Sequence, residues 1–516
     1  MWKKLLITGC VTFSLLSGGT LSAQPSCEIK EEVTSEQLDR TQKELVAMMK
    51  ELKNDSYFQT ELDKAAVQSS LSKRMAAYKD LTVRLLSVLE IQAELEWMKP
   101  EAIQEALGIM KKSSGFDAVL ADKRFGELKS LLAGGFDGIY TGDAQAIDKA
   151  NKTLTLKRKL MLMSPDVNVD KMLTVKFDLG ERANFVGAGS LGIQPNNWSN
   201  LSSASRKNFK AQLVELSGLQ SGELSEKVLY KPAVDGSSVT DLVLNWDGKR
   251  LMFTALDTTR RWQVHELDIN NGEAKQVTNI PEPDLEFFDG TYLPDGRMLA
   301  ISNIGYQGVP CVNGSDAVGN MVLYDPSNGY LRRLTFDQDA NWHPVVMANG
   351  KVMYVRWEYT DLTHYFSRIV MHMNPDGTEQ KSLYGSGSMF PNSIFDVQPL
   401  PKHTNRFVGV ISGHHGVARS GRLMIFDPAK SRKEEKGMIQ ELPFRGRPII
   451  PEVKDELVNG VWPQFIKPYP LTDETFLVTA KLSPYSRWGI YLVDIYDNLT
   501  LVANADDAGM IYSVPV

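Results

Sequence analysis

A unit of strand, glycine turn and strand recurs through the C-terminal two thirds of the chain. It constrains the fold more than any other feature. It runs from Leu242 to Thr254 around Asp247 and Gly248, from Thr291 to Ser302 around Asp295 and Gly296, and from Val345 to Val355 around Asn349 and Gly350. Looser copies span Asn405–Ile411 and Asp473–Thr479. Gly, Asn and Asp supply the positive φ that such tight turns need. Each unit is followed by a second strand pair around an Asp- or Asn-rich turn. These lie in Gln263–Thr278 (Asn270, Asn271, Gly272), Met321–Thr335 (Asp325 to Gly329), Arg368–Leu383 (Asn374 to Gly377), Arg422–Leu442 and Gly489–Val502. Asp247 and Asp295 are 48 residues apart, and Asp295 and Asn349 are 54 apart. Four strands in about 50 residues, repeated, predict a β-propeller. A degenerate copy over roughly residues 172–231, with strand segments Arg182–Ser190 and Gln212–Tyr230, brings the count to six blades. A seventh is open if the terminal Met510–Val514 strand closes a split blade. The fold class is all-β, a six-bladed propeller preceded by an α-helical N-terminal domain.

The helical part has a different period. Leu38, Leu45 and Leu52 recur every seventh residue with Met49 between them, behind a capping start at Thr34–Gln37. Leu71, Met75, Tyr78, Leu81, Leu85, Val88 and Leu89 form one face of a second helix, which Pro100 ends. Shorter helical segments follow at 101–112, 117–133 and 143–163. These apolar stripes are core contacts between helices. The pattern changes at Pro165. The expected boundaries are a signal peptide over 1–23, an α-helical domain over 24–165 and a propeller domain over 166–516.

Lys3 and Lys4 precede an apolar stretch from Leu5 to Leu21 that ends in Ser22 and Ala23, the parts of a secretory signal peptide. Cleavage after Ala23 takes the formal charge of −6 to about −8. The expected location is periplasmic or extracellular. A lipoprotein at the outer membrane, anchored through Cys27, is the rival reading. No other segment approaches a transmembrane helix. The 516 residues are 42% hydrophobic and 23% charged, an ordinary globular composition. The mild acidity and the lack of a long basic run exclude nucleic acid as a partner.

Several stretches are idiosyncratic. They are Leu334–Pro344, Tyr354–Leu362 running on to His364–Arg368, Ile411–Val417, Asn459–Pro463 and Trp488–Asp494. Together they resemble the family named for the middle domain of the hydrazine synthase alpha subunit, whose propeller is similar to the TolB type. The resemblance covers roughly residues 160–515, with Ser164, Pro165 and Asp170–Val175 similar to the family's entry into its first blade. It implies an exported TolB-like propeller. It does not imply hydrazine synthesis. The founding enzyme carries covalently attached c-type haem, which needs a Cys-x-x-Cys-His motif. Here Cys311 stands alone and no Cys-x-x-Cys occurs.

Gly187–Gly192 fits G-x-G-x-x-G, but Ile193–Trp198 follows as a loop rather than a helix, which excludes the dinucleotide reading. No nucleophile elbow, zinc-protease helix, P-loop or EF-hand loop is present. The histidines are more informative. Of seven, six lie between His343 and His415. Aligning the units on their turns puts Asp241, Asp289 and His343 at equivalent starts of a first strand. Loops returning to the same face carry Glu358, Asp361 and His364, then His414 and His415. His403 falls near the opposite turn and His372 within a strand. These residues are the candidate ligand site, at one mouth of the propeller channel. His343, His364, His414 and His415 are the candidate ligands of a divalent metal, zinc or manganese. The expected function is binding of a small polar ligand or divalent metal there. A metal-dependent hydrolase or lyase of carbohydrate-like substrates, and a non-catalytic scaffold for a protein partner, are the alternatives.

Overall fold

The computed structural model describes residues 33–178, 200–204, 206–207, 209–310, 313–358, 368–413, 417, 419–505 and 508–516. The described residues form two compact units. One comprises 33–96 and 130–154, and the other comprises 97–129 and 155–516. The chain is mostly β-strand, with a helical N-terminal region. The signal-peptide segment and Cys27 lie outside the described residues. Among those described, no helix is long and apolar enough to cross a membrane.

The first unit is built on α1 (Ser35–Met49), α2 (Ser56–Ala66) and α3 (Leu71–Glu96). The capping box expected at Thr34 is present: the Thr34 hydroxyl accepts from Gln37 N and the Gln37 side chain accepts from Thr34 N. Leu45, Met49, Leu81, Leu85 and Leu89 are all buried, as their spacing predicts. The remaining helices are α4 (Pro100–Met110), α5 (Ala118–Leu132) and α6 (Ala144–Met161).

In the second unit, 24 strands among the described residues fall into six antiparallel runs of four. The first run has β1 (Lys171–Asp178), β2 (Lys210–Ser217) and β3 (Ser225–Tyr230), completed on the β1 side by the last strand, β24 (Ala508–Pro515). The predicted strand segment Arg182–Ser190 lies outside the described residues. The second run has β4 (Val239–Leu244), β5 (Arg250–Leu256), β6 (Trp262–Asp268) and β7 (Ala274–Gln276). The third has β8 (Phe287–Tyr292), β9 (Met298–Ser302), β10 (Asn320–Asp325) and β11 (Tyr330–Arg333). The fourth has β12 (Asn341–Val346), β13 (Val352–Trp357), β14 (Arg368–Met373) and β15 (Lys381–Tyr384). The fifth has β16 (Ser393–Pro399), β17 (Phe407–Ser412), β18 (Arg422–Phe426) and β19 (Met438–Leu442), and the sixth β20 (Gln464–Pro470), β21 (Thr475–Lys481), β22 (Gly489–Asp494) and β23 (Leu499–Ala503). One parallel pair, Arg368 with Ser393, joins the fourth and fifth runs.

Burial grades across each run. The early strands are apolar on both faces: β9, β17, β21 and β24 are buried throughout. The last strands, such as β7 and β11, are short, polar and exposed, which blunts the open edge. First strands pack against one another: β4 beside β8, β8 beside β12, β12 beside β16, β16 beside β20, β20 beside β24 and β24 beside β4. The turns between first and second strands use Gly248, Gly296 and Gly350 at φ 66°, 89° and 78°, values a side chain would strain.

Candidate functional site

Each first strand carries a β-bulge at an equivalent place. The register slips between Thr240 and Val243, Phe288 and Thr291, Trp342 and Val345, Phe395 and Gln398, and Ile466 and Tyr469. On β24 it slips between Ile511 and Val514 opposite β1. Every bulge holds one non-glycine residue in the left-handed region: Asp241, Asp289, His343, Asp396, Lys467 and Tyr512, with φ between 50° and 70°. These are six of the 12 such residues among those described. The left-handed backbone turns each of these side chains out of the strand's pleat, toward the neighbouring first strand.

The contacts pass from one bulge to the next. The Tyr512 hydroxyl accepts from Asp241 N at 2.7 Å. The Asp241 carboxylate accepts from Asp289 N at 3.1 Å, and that of Asp289 from His343 N at 2.5 Å. The His343 ring lies between two carboxylates, Nδ1 at 3.3 Å from Asp289 and Nε2 at 3.1 Å from Asp396. Asp396 accepts from Lys467 N at 3.0 Å and pairs with its Nζ at 2.9 Å. The Lys467 ammonium lies 5.4 Å from the Tyr512 ring centre, which returns the series to its start. Arg419 enters from the segment after β17, its guanidinium 4.8 Å from the Trp342 ring and 5.0 Å from that of Phe395.

Burial drives the electrostatics. The Asp241 carboxyl is pushed above the ordinary range by burial and then by the neighbouring Asp289 charge. Burial works the same way on Asp289, but contact with His343 and the charge of Lys467 outweigh it and hold that carboxyl down at about 2. Lys467 and His343 likewise hold Asp396 low against its burial. Burial would lower the Lys467 ammonium, and the surrounding carboxylates reverse the effect and raise it. Burial pushes Arg419 down to about 10.

Asp241, Asp289, His343, Arg419, Lys467 and Trp342 line one pocket, with Asn200, Leu201, Thr240 and Phe288. Its space for the centres of water-sized molecules is about 20 Å³. That holds a water or an ammonium group, not a sugar ring. Among the described residues the buried Trp342 Nε1–H has no hydrogen-bond acceptor.

Three of the eight candidate residues therefore come together. Asp361, His364, His414 and His415 lie outside the described residues. Glu358 does not line the pocket: it pairs with Arg356, whose other nitrogen lies 3.5 Å from Asp337. His403 pairs with Asp473 at 3.3 Å in the connection between β16 and β17, and His372 sits in β14. Among the described residues no group of three His, Cys, Asp or Glu side chains could hold a metal. Sequence reasoning missed Asp396, Lys467, Tyr512 and Arg419. Each of the first three follows an apolar residue. The looser repeat copies at Asn405–Ile411 and Asp473–Thr479, however, begin after the strands of Asp396 and Lys467, and only the terminal strand of Tyr512 is expected.

No protein-family model matches the chain, and no curated protein does. Among solved structures it is similar to Kuenenia stuttgartiensis hydrazine synthase, with 14% identity over 67% of this chain and 47% of that one and a TM-score of 0.49. It is also similar to TolB from Acinetobacter baumannii, with 10% identity over 71% of this chain and 72% of that one and a TM-score of 0.42. A third is an oligogalacturonate lyase in complex with manganese, with 12% identity over 58% and 73% and a TM-score of 0.36. The chain thus spans about half the length of the hydrazine synthase chain it resembles.

Proposed function

We propose that the chain is an exported, six-bladed, TolB-like β-propeller protein of the hydrazine synthase alpha middle-domain family, and that it binds a small polar ligand at one mouth of its channel. Six runs of four strands, whose first strands touch in cyclic order, support the count of six blades. On this reading β24 closes the first blade rather than founding a seventh. Export rests on Lys3, Lys4, the apolar stretch and Ala23. The family rests on the idiosyncratic stretches quoted above. Mass spectrometry of the exported chain is expected to find Gln24 at the N-terminus, and a diacylglyceryl mass on Cys27 would replace soluble export by lipidation.

One observation carries the binding reading. Six first strands hold a strained conformation at equivalent places, and four of the six residues so placed, Asp241, Asp289, His343 and Lys467, line one partly open pocket. Such strain persists only where the surroundings over-determine it, and it gathers at functional sites. The site favours an organic ligand over a metal ion, because the Lys467 ammonium already lies against Asp396. Neutral sugars, carboxylates, amines and divalent cations, each tested by calorimetry and then by soaking crystals, decide the matter. The reading requires at least one to bind with density between Asp241, Asp289 and Arg419. If none of the four classes binds there, it fails.

A further inference from the structure

The three aspartates of the site are not equivalent. Asp396 has the Lys467 ammonium at 2.9 Å and Asp289 has the His343 ring at 3.3 Å. Asp241 is 9% exposed and lines the pocket, yet among the described residues no Lys, Arg or His nitrogen pairs with it. Among the described residues it takes hydrogen bonds from neutral donors: Asp289 N at 3.1 Å, the Thr240 hydroxyl at 3.1 Å, the Tyr512 hydroxyl at 3.4 Å and the Thr254 hydroxyl. A buried carboxylate without a cation is costly, and a charged donor is its strongest complement. A second observation is independent of the first. Trp342 lines the same pocket, is 1% exposed, and its Nε1–H has no acceptor among the described residues.

We propose that the ligand is a small primary amine bearing a nearby hydroxyl or ether oxygen, its ammonium seated on Asp241 and its oxygen accepting from Trp342 Nε1. The assignment rests on the small-polar-ligand reading above. An ammonium is about the size of a water, which suits a space of about 20 Å³, and the rest of such a molecule extends into the open side of the pocket. Binding is coupled to protons. The charged groups that bear on Asp241 are Asp289 on β8, His343 on β12, Lys467 on β20 and Arg419, with the Tyr512 hydroxyl on β24. Burial and the Asp289 charge raise the Asp241 carboxyl of the empty site, and a seated ammonium favours its ionised form. Affinity therefore falls as pH drops, by up to about tenfold per unit.

The test is calorimetry on the full chain with ethanolamine, ethylamine, ethylene glycol, acetate and potassium chloride at matched ionic strength. Ethanolamine is expected to bind tightest and ethylamine more weakly. Asp241→Asn, which keeps a residue tolerant of positive φ, is expected to weaken ethanolamine at least tenfold. Four results overturn the assignment: amine binding unchanged in Asp241→Asn, potassium binding as well as ethanolamine, ethylamine equalling ethanolamine, or affinity that rises as pH drops from 8 to 5. The last needs no variant, so a misfolded Asp241→Asn leaves the test decisive. If ethylene glycol or acetate binds in the pocket and the amines do not, the small-polar-ligand reading stands and the amine assignment falls. If nothing binds, both fall.

Discussion

Lys467 and Tyr512 hold φ at 50° and 70°, a region that costs an ordinary side chain about 1–2 kcal/mol. Their contacts must offset that. The Tyr512 hydroxyl is the hydrogen-bond acceptor for the buried Asp241 N at 2.7 Å and lies 2.5 Å from the Thr240 hydroxyl. Tyr512→Phe keeps the ring beneath Lys467 but leaves that N–H without an acceptor. The expected loss is about 1–3 kcal/mol in urea unfolding, and a loss under about 0.5 kcal/mol would mean that the hydroxyl does not hold the bulge. Lys467→Met is expected to cost more, about 3–5 kcal/mol at pH 7, because it strands the Asp396 charge in the interior. The sign of its pH dependence follows from Asp396, whose carboxyl is held low by Lys467 and His343 against its burial. Stability from a lowered carboxyl is present above the unfolded value of about 3.9 and is lost as pH falls through the folded one. The gap between wild type and Lys467→Met should therefore narrow below pH 4. A gap that widens in acid would place the stabilisation elsewhere.

At the scale of elements, the helical residues of the second unit are tied to the fifth and sixth runs and the segment between them. Glu105 on α4 makes a bidentate pair with Arg445 at 2.7 and 2.6 Å, and the Lys157 ammonium donates to the carbonyls of Trp97 and Leu499, both at 2.7 Å. Asn498 donates to Ala102 O at 3.1 Å and to the Asp494 carboxylate at 2.7 Å. Burial raises the Asp494 carboxyl to about 6, against the bonds from Asn498 and Tyr496 that would lower it. A raised carboxyl acts opposite to Asp396: its cost is absent below the unfolded value and grows as pH rises from about 4 to 6. Asp494→Asn should gain on wild type by up to about 3 kcal/mol between pH 4 and pH 8. Chemical denaturation at the two pH values checks it, and a variant that loses ground at pH 8 would show that the hydrogen bonds, not burial, dominate. The same elements show what was readable beforehand. Gly248, Gly296 and Gly350 mark turns, so Asp241, Asp289 and His343 could be aligned from them. Asp396 and Lys467 precede degenerate turns, and no turn follows Tyr512 on the terminal strand. What repeats at the site is a backbone conformation rather than a residue type, and conformation leaves a faint trace in one sequence. Arg419 left none, because it reaches the pocket from a connection outside the repeat.

At the scale of the molecule, the two ends of the β region depend on one another. β24 pairs with β1 from Met172 opposite Pro515 to Asp178 opposite Ala508, and it carries Met510, Ile511 and Val514 into the interior. It lies beside β4 and β20 and brings Tyr512 to Asp241. A chain ending at Asn504 loses all of this while keeping 23 of the 24 strands. Three buried aliphatic side chains alone are worth about 1.5–3 kcal/mol each. Their sum approaches the 5–15 kcal/mol that stabilises a typical domain, before the stranded edge of β1 and the orphaned Asp241 N are counted. If the sheets form one closed ring, the truncation cannot be a local wound. It should remove the cooperative transition of the whole β region, seen in near-ultraviolet circular dichroism from residues as distant as Trp262 and Trp342. Adding the nine terminal residues back as a peptide should restore part of that signal, since the pairing surface on β1 is otherwise complete. A truncated chain that melts cooperatively within a few degrees of the full chain would mean that the sheets are held as independent units. A ring closed by its last strand would then be the wrong description.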